Sequence, residues 1–220
     1  MCGRYLIEDE AYADILEILN NLNANKNTSG AGEFAKGEIF PASIAPVIAG
    51  DGILAVKWGF PHWKNSGVII NARAETALEK KMFGKPLRER RCVVPSSGFY
   101  EWGHGSDLSS NMSLFENDEL PDSGIRSGGS KKKDKFLLRQ PEDSMLYMAG
   151  IVSTFRDSFG EPYDAFVILT TIANDSVAVI HDRMPVILAP EEATSWVRDN
   201  AFMEFVLHRP GPELSMLKVG

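Results

Sequence analysis

The run Ala165-Phe166-Val167-Ile168-Leu169 constrains this chain more than any other stretch. Five consecutive apolar residues, rich in β-branched and aromatic side chains, make a strand-length segment, far short of the roughly 20 residues needed to cross a bilayer. Met145 to Val152 is of the same kind, and it and Ala165 to Thr171 read as buried strands. Ile44 to Ile48 and Ile53 to Trp58 flank Gly50-Asp51-Gly52, which predicts a hairpin. Val68-Ile69-Ile70 leads as a short strand into Asn71. Cys92-Val93-Val94, Ser97 to Trp102 and Pro185 to Leu188 add three more. Helical spacing is rarer. Tyr12, Ile15, Leu16 and Leu19 behind an acidic start predict an amphipathic helix over 9–22, followed by a polar loop from Asn23 to Gly32. Residues 75–82 look helical. Pro190-Glu191-Glu192 begins a helix, with proline in the first turn and acids at the positive end of its dipole.

His104 to Lys135 differs from the rest. Of its 32 residues 11 are Gly or Ser, it lacks apolar periodicity, and it ends Lys131-Lys132-Lys133-Asp134-Lys135. It reads as a mobile insertion between two strands of one domain spanning 1–220, not as a linker.

Composition excludes several classes. An apolar content of 44% over 220 residues supplies a sizeable core. Glu8, Asp9 and Glu10 interrupt any apolar start of signal-peptide form. Two cysteines, Cys2 and Cys92, make no disulfide framework, and no CxxC or His/Cys cluster suggests zinc. The net charge of -7 disfavours a nucleic-acid binder, but its distribution softens the objection. Residues 1–103 carry 12 basic and 12 acidic side chains, so the excess acid lies beyond them. Lys80 to Arg91 holds Lys80, Lys81, Lys85, Arg88, Arg90 and Arg91 against Glu89: a solvated helix face, or part of a phosphate-attracting patch.

The chain begins Met1-Cys2-Gly3-Arg4. If Met1 is trimmed, as a small second residue usually permits, Cys2 presents an α-amine and a thiol on adjacent carbons. The amine has an unperturbed pKa of roughly 8 against roughly 10.4 for lysine, so about a tenth of it is neutral and nucleophilic at pH 7. A 1,2-aminothiol reacts with an aldehyde to form an imine, which the thiol closes to a thiazolidine. Three further segments carry chemistry. Asn71-Ala72-Arg73-Ala74-Glu75-Thr76 ends a strand, where an arginine either caps a turn or grips a phosphate. Glu101 lies between Tyr100 and Trp102; if it points into an apolar pocket rather than to solvent, its pKa rises and suits proton transfer. His181 precedes Asp182-Arg183-Met184-Pro185 and has the side chain best placed for acid–base work at neutral pH.

Cys2-Gly3-Arg4, Asn71-Ala72-Arg73-Ala74-Glu75, Arg91-Cys92-Val93-Val94-Pro95 with Gly98-Phe99-Tyr100-Glu101-Trp102, Ala149-Gly150-Ile151 and His181-Asp182-Arg183-Met184-Pro185 occur in this order. Together, over nearly the whole chain, they resemble the SRAP family of SOS-response-associated peptidase-like, abasic-site-processing proteins. The resemblance implies a β-rich α+β domain with a barrel-like mixed sheet core and peripheral helices. It implies covalent capture of abasic sites in single-stranded DNA by Cys2, with Asn71 positioning it and Glu101 and His181 in the active site. Arg4 and Arg73 match phosphate-contacting residues. Trp58, Phe60 and Trp63 match the stretch expected to stack on bases. That stretch, Trp58-Gly59-Phe60-Pro61-His62-Trp63, is one residue shorter than the family's usual form. The implied partner is single-stranded DNA carrying abasic sites. The expectation is a cytoplasmic monomer without cofactor, metal or membrane association. Glutamine amidotransferase domains also open Met-Cys-Gly, but they generally need an Asn-Gly turn, which this chain lacks. A self-processing peptidase that removes its own Met1 is a further alternative.

Overall fold

The computed structural model describes residues 2–15, 35–50, 52–62, 66–103, 133–141 and 145–220. Strands dominate them. β1 (Arg4–Ile7) and β2 (Gly37–Ile39) precede β3 (Ile44–Ala49) and β4 (Gly52–Trp58), the expected hairpin. The short β5 (Phe60–Pro61) and β6 (Val68–Ile69) pair with each other, and β7 (Asn71–Arg73) follows. Then come β8 (Arg91–Ser96), β9 (Gly98–Gly103), β10 (Asp134–Arg139), β11 (Leu146–Arg156) and β12 (Pro162–Ile172). β13 (Arg183–Pro185), β14 (Ile187–Leu188) and β15 (Ser215–Lys218) complete the set.

Five strands close a barrel. β12 runs parallel to β4, with Phe166 opposite Trp58, and the ring continues antiparallel through β3, β8 and β11 back to β12. Closure leaves these strands without open edges. It also accounts for the uninterrupted apolar runs of β8, β11 and β12, whose central residues are buried on both faces. Phe166 and Ile168, Cys92 and Val94, and Met148 and Val152 point into one core. The alternate residues, Ala165, Val167 and Leu169 with Val93, Ala149 and Ile151, join a second core under the helices. Gly150 sits where β8, β11 and β12 meet; a Cβ there would stand 2.9 Å from the Cys92 sulfur, which only glycine avoids.

A second sheet, in the order β15-β10-β9-β1-β2, lies over the barrel and shares its first core through Tyr5, Ile7, Ile39, Phe99 and Leu138. On the opposite side, the helices Ala193–Arg198 and Asn200–His208 bury Trp196, Met203, Val206 and Leu207. The fold is thus a β-rich α+β architecture with a closed mixed barrel.

Details depart from the sequence reading. Pro185 to Leu188 is two strands broken at Val186, whose N–H bonds Leu169 and whose carbonyl takes the N–H of Ala149. Helix spans Ala74–Ala77 rather than 75–82. Residues 9–15 are helical; the rest of the helix expected over 9–22, and the loop after it to Gly32, fall outside the described residues. So does most of 104–135, but Asp134 and Lys135 belong to β10, so that stretch ends two residues earlier than expected.

The basic run divides. Lys80, Lys81, Lys85 and Arg88 are exposed. Arg90 pairs with Asp164 at 2.8 Å, and the buried Arg91 donates to the carbonyls of Leu87, Arg88, Trp196 and Val197 and to Asn200. Arg91 thereby satisfies orphan carbonyls at the ends of two helices, a structural duty that removes it from any phosphate patch.

Candidate functional site

β1 brings the start of the chain to the site. It pairs antiparallel with β9, with Arg4 opposite Tyr100, so the residues before Arg4 run alongside Glu101. Cys2 is fully buried in the first core, and its thiol donates to the carbonyl of Arg4 at 3.6 Å. Burial, with a smaller push from the Glu101 charge, raises the thiol far above its ordinary pKa of 9.0. It therefore rests protonated.

Asn71 arrives from the parallel partner of β12, in register with Ile168. Its side-chain amide donates to the carbonyl of Cys2 at 3.0 Å. Glu101 is 3% exposed, which answers the question its flanking aromatics posed: it points inward. Burial raises its carboxyl above 4.5, opposed by the chain's amino-terminal charge and by His181. A buried carboxyl with a raised pKa is suited to taking and returning a proton.

His181 stands just before β13, in the turn after the helix Asp175–Ala178. Its Nδ1 accepts the N–H of Arg183 at 3.0 Å and lies 2.9 Å from the Asp182 carboxylate. The two contacts ask opposite things of Nδ1. The backbone N–H needs a bare Nδ1 and the carboxylate an Nδ1 that carries a proton. Two features place this turn. Gly103 ends β9 beneath it, and a Cβ on Gly103 would come within 2.8 Å of the Ile180 side chain. Arg183 forms a bidentate pair with Glu75 at 2.7 and 2.8 Å and also donates to the carbonyl of Thr170. Thr170 of β12 lies opposite both Arg73 and Pro185, so β7 and β13 flank it. The Arg183–Glu75 pair clamps the end of β7, which carries Asn71, to β13, which His181 precedes, across β12. Motif spacing alone concealed this clamp.

The remaining sequence candidates separate. Arg73 is exposed at the end of β7. Arg4 is half-buried: its guanidinium bonds Glu38 at 2.9 Å and lies over the rings of Phe40 and Trp102. Trp58 and Phe60 are corrections. Both are fully buried. Trp58 donates to the carbonyl of Ile70 at 3.2 Å, meets Tyr5 edge-on and stacks on Phe166, while Phe60 packs against Phe83 and Phe155. Their rings serve the core and are shut off from any base. Trp63 lies outside the described residues. Exposed aromatic surface near the site comes instead from Phe40, 44% exposed, which the sequence reading passed over. Among the described residues no helix is long and apolar enough to cross a membrane.

The chain is similar to known proteins. The family model described as SOS response associated peptidase (SRAP) matches residues 1–219. The chain is 29% identical over 212 residues to the abasic site processing protein YoaM of Bacillus subtilis (strain 168), covering 90% of this chain and 79% of that one. It is 30% identical over 213 residues to YoqW of the same organism, covering 90% and 80%. The abasic site processing protein HMCES of Rattus norvegicus is 33% identical over 156 residues, 65% of this chain and 44% of that one. A solved structure of a protein from Bacteroides thetaiotaomicron superposes with a TM-score of 0.74 at 20% identity, covering 100% of this chain and 92% of that one, and so shares the fold. With the family model spanning nearly the whole chain, this protein belongs to the SOS response associated peptidase (SRAP) family.

Proposed function

We propose that this protein captures abasic sites in single-stranded DNA through a covalent thiazolidine formed by Cys2 once Met1 has been removed. The observation that supports it most is the hydrogen bond from Asn71 to the Cys2 carbonyl beside the buried carboxyl of Glu101. Such a site holds one nucleophilic residue in a fixed pose next to a proton acceptor. The names of the curated relatives agree with the substrate.

The abasic deoxyribose opens from hemiacetal to aldehyde, with His181 as general acid–base. Glu101 takes a proton from the Cys2 ammonium. The amine adds to the aldehyde carbon and water leaves, giving an imine. The thiol, protonated at rest, follows the amine: its sulfur bonds the imine carbon while its proton passes to the nitrogen, closing the ring. Closure consumes the imine that would otherwise cleave the strand by β-elimination, so the link shields the site. Reversal retraces the same steps. Arg4 and Arg73 grip flanking phosphates.

The test is a denaturing gel of purified protein mixed with an abasic oligonucleotide. A shifted band that disappears with Cys2→Ala is expected. Its absence with a protein shown by mass to lack Met1 overturns the reading.

A further inference from the structure

Arg4 is expected to contact a DNA phosphate, yet its guanidinium is already engaged. One carboxylate, Glu38 of β2, divides its oxygens between two cations: Oε1 takes Arg4 at 2.9 Å and Oε2 takes Lys135 at 2.8 Å. The three side chains come from β1, β2 and β10 of one sheet and remain 23–38% exposed. The cations share an aromatic floor. Arg4 lies over Phe40 and Trp102, and the Lys135 ammonium lies 3.9 Å from the centre of the Tyr100 ring and 5.9 Å from that of Trp102. Register ties the cluster to the chemistry: Lys135 is opposite Trp102, the residue after Glu101, and Arg4 is two residues from Cys2.

We propose that Arg4 and Lys135 form a seat for one backbone phosphate of single-stranded DNA, and that Glu38 occupies this seat until the strand displaces it. A carboxylate and a phosphate diester present the same feature to two cations, a pair of oxygens sharing one negative charge. The cluster carries two positive charges against one negative, so an incoming phosphate completes its neutralisation and then competes with Glu38 for both donors. Glu38 also has a reason to stay put in the free protein: the two cations hold its carboxyl below the usual range despite partial burial. Lys135 therefore contributes to the DNA path, and Glu38 tunes affinity by holding the two cations at phosphate spacing while opposing the strand. This inference rests on the proposed single-stranded DNA substrate but not on the covalent step.

The test is binding of an undamaged fluorescein-labelled oligothymidylate, followed by fluorescence anisotropy across a KCl series, with a thermal melt of every variant to establish folding. Losing one phosphate contact lowers the slope of log K against log salt by about 0.7 for a single strand. Lys135→Ala is expected to show that loss of slope and weaker binding, and Lys135→Arg to keep the wild-type slope. Glu38→Gln removes the competing charge and is expected to tighten binding by about threefold. Arg156→Ala, an exposed control at the turn between β11 and β12, changes neither. Weaker binding by a folded Glu38→Gln overturns the proposal and makes the cluster a structural clip between strands. An unchanged slope in Lys135→Ala, or a wild type without salt-dependent binding, overturns it as well. An oligothymidylate contains no aldehyde, so these outcomes are independent of whether an abasic oligonucleotide crosslinks.

Discussion

The side-chain amide of Asn71 holds the carbonyl of Cys2 at 3.0 Å, joining a strand on the barrel to the first residues of the chain in the overlying sheet. Asn71→Ala removes this tether from Cys2. A loosened nucleophile is expected to crosslink about ten- to a hundredfold more slowly. The cost in stability stays near that of one hydrogen bond, about 1 kcal/mol. Time courses of covalent complex on an abasic oligonucleotide, with a denaturant melt alongside, check both. Wild-type rates in Asn71→Ala would remove its positioning role.

Glu101 makes stability depend on pH in a definite direction. Burial raises its carboxyl above 4.5, so above that pH the native state keeps a proton that the unfolded chain has lost. Stability from this group therefore falls as pH rises from 4.5 through the raised value, and stays lower above it. Glu101→Gln is expected to flatten that decline and to be the more stable protein at neutral pH. The same variant lacks the proton acceptor and is expected to crosslink about a hundredfold more slowly. Melting temperatures and crosslinking rates over a pH series read both effects. A variant less stable than wild type at pH 7 contradicts the assignment.

Cys2→Ala keeps an α-amine after Met1 is removed. It is expected to form the imine but not the ring, losing the stable crosslink and cleaving the abasic strand by β-elimination. His181→Ala is expected to slow ring opening and, by microscopic reversibility, the release of a preformed crosslink, each by about a hundredfold. Gel time courses of complex and cleaved strand separate the two variants. Unchanged formation and release with His181→Ala would leave that histidine a structural role.

Gly103→Ala tests how the His181 turn is placed. The added Cβ would meet Ile180 at 2.8 Å, closer than two carbon atoms approach, so the turn has to shift. Crosslinking is expected to fall while a salt series on undamaged single-stranded DNA stays at wild type. Equal activity would show that the turn is not held by this contact.

Trp58 gives the opposite pattern. Trp58→Ala empties a fully buried ring and is expected to cost about 3–5 kcal/mol. Trp58→Phe keeps most of the packing and is expected to bind single-stranded DNA as wild type does. Impaired binding by a fully folded Trp58→Phe would restore the ring to the DNA surface.

What the sequence disclosed follows from what each segment buries. The hairpin of β3 and β4 was legible because two apolar runs meet at Gly50-Asp51-Gly52, and β11 and β12 because strands buried on both faces carry no polar interruption. β2 and β15 escaped notice: Gly37-Glu38-Ile39 is too short to show a period, and Ser215–Lys218 is mostly exposed at a sheet edge. β10 was obscured because its first residues, Asp134 and Lys135, continue a lysine run. The inward turn of Glu101 depends on what covers β9, which only the tertiary arrangement reveals. Trp58 and Phe60 misled for a related reason: a cluster of aromatics reads alike whether it faces a base or a core, and barrel closure decided between them.

Complete burial of Cys2 has a consequence for biosynthesis. β9, the partner that covers the chain's first strand, is made about ninety residues after it. At roughly 5–20 residues per second, the start of the chain waits about 5 to 20 seconds for that partner. Under the proposed function, an aminopeptidase working on the nascent chain has this interval to remove Met1 before Cys2 is enclosed. On that reading, the maturation of this site is a race between processing and folding, run once in the life of each molecule.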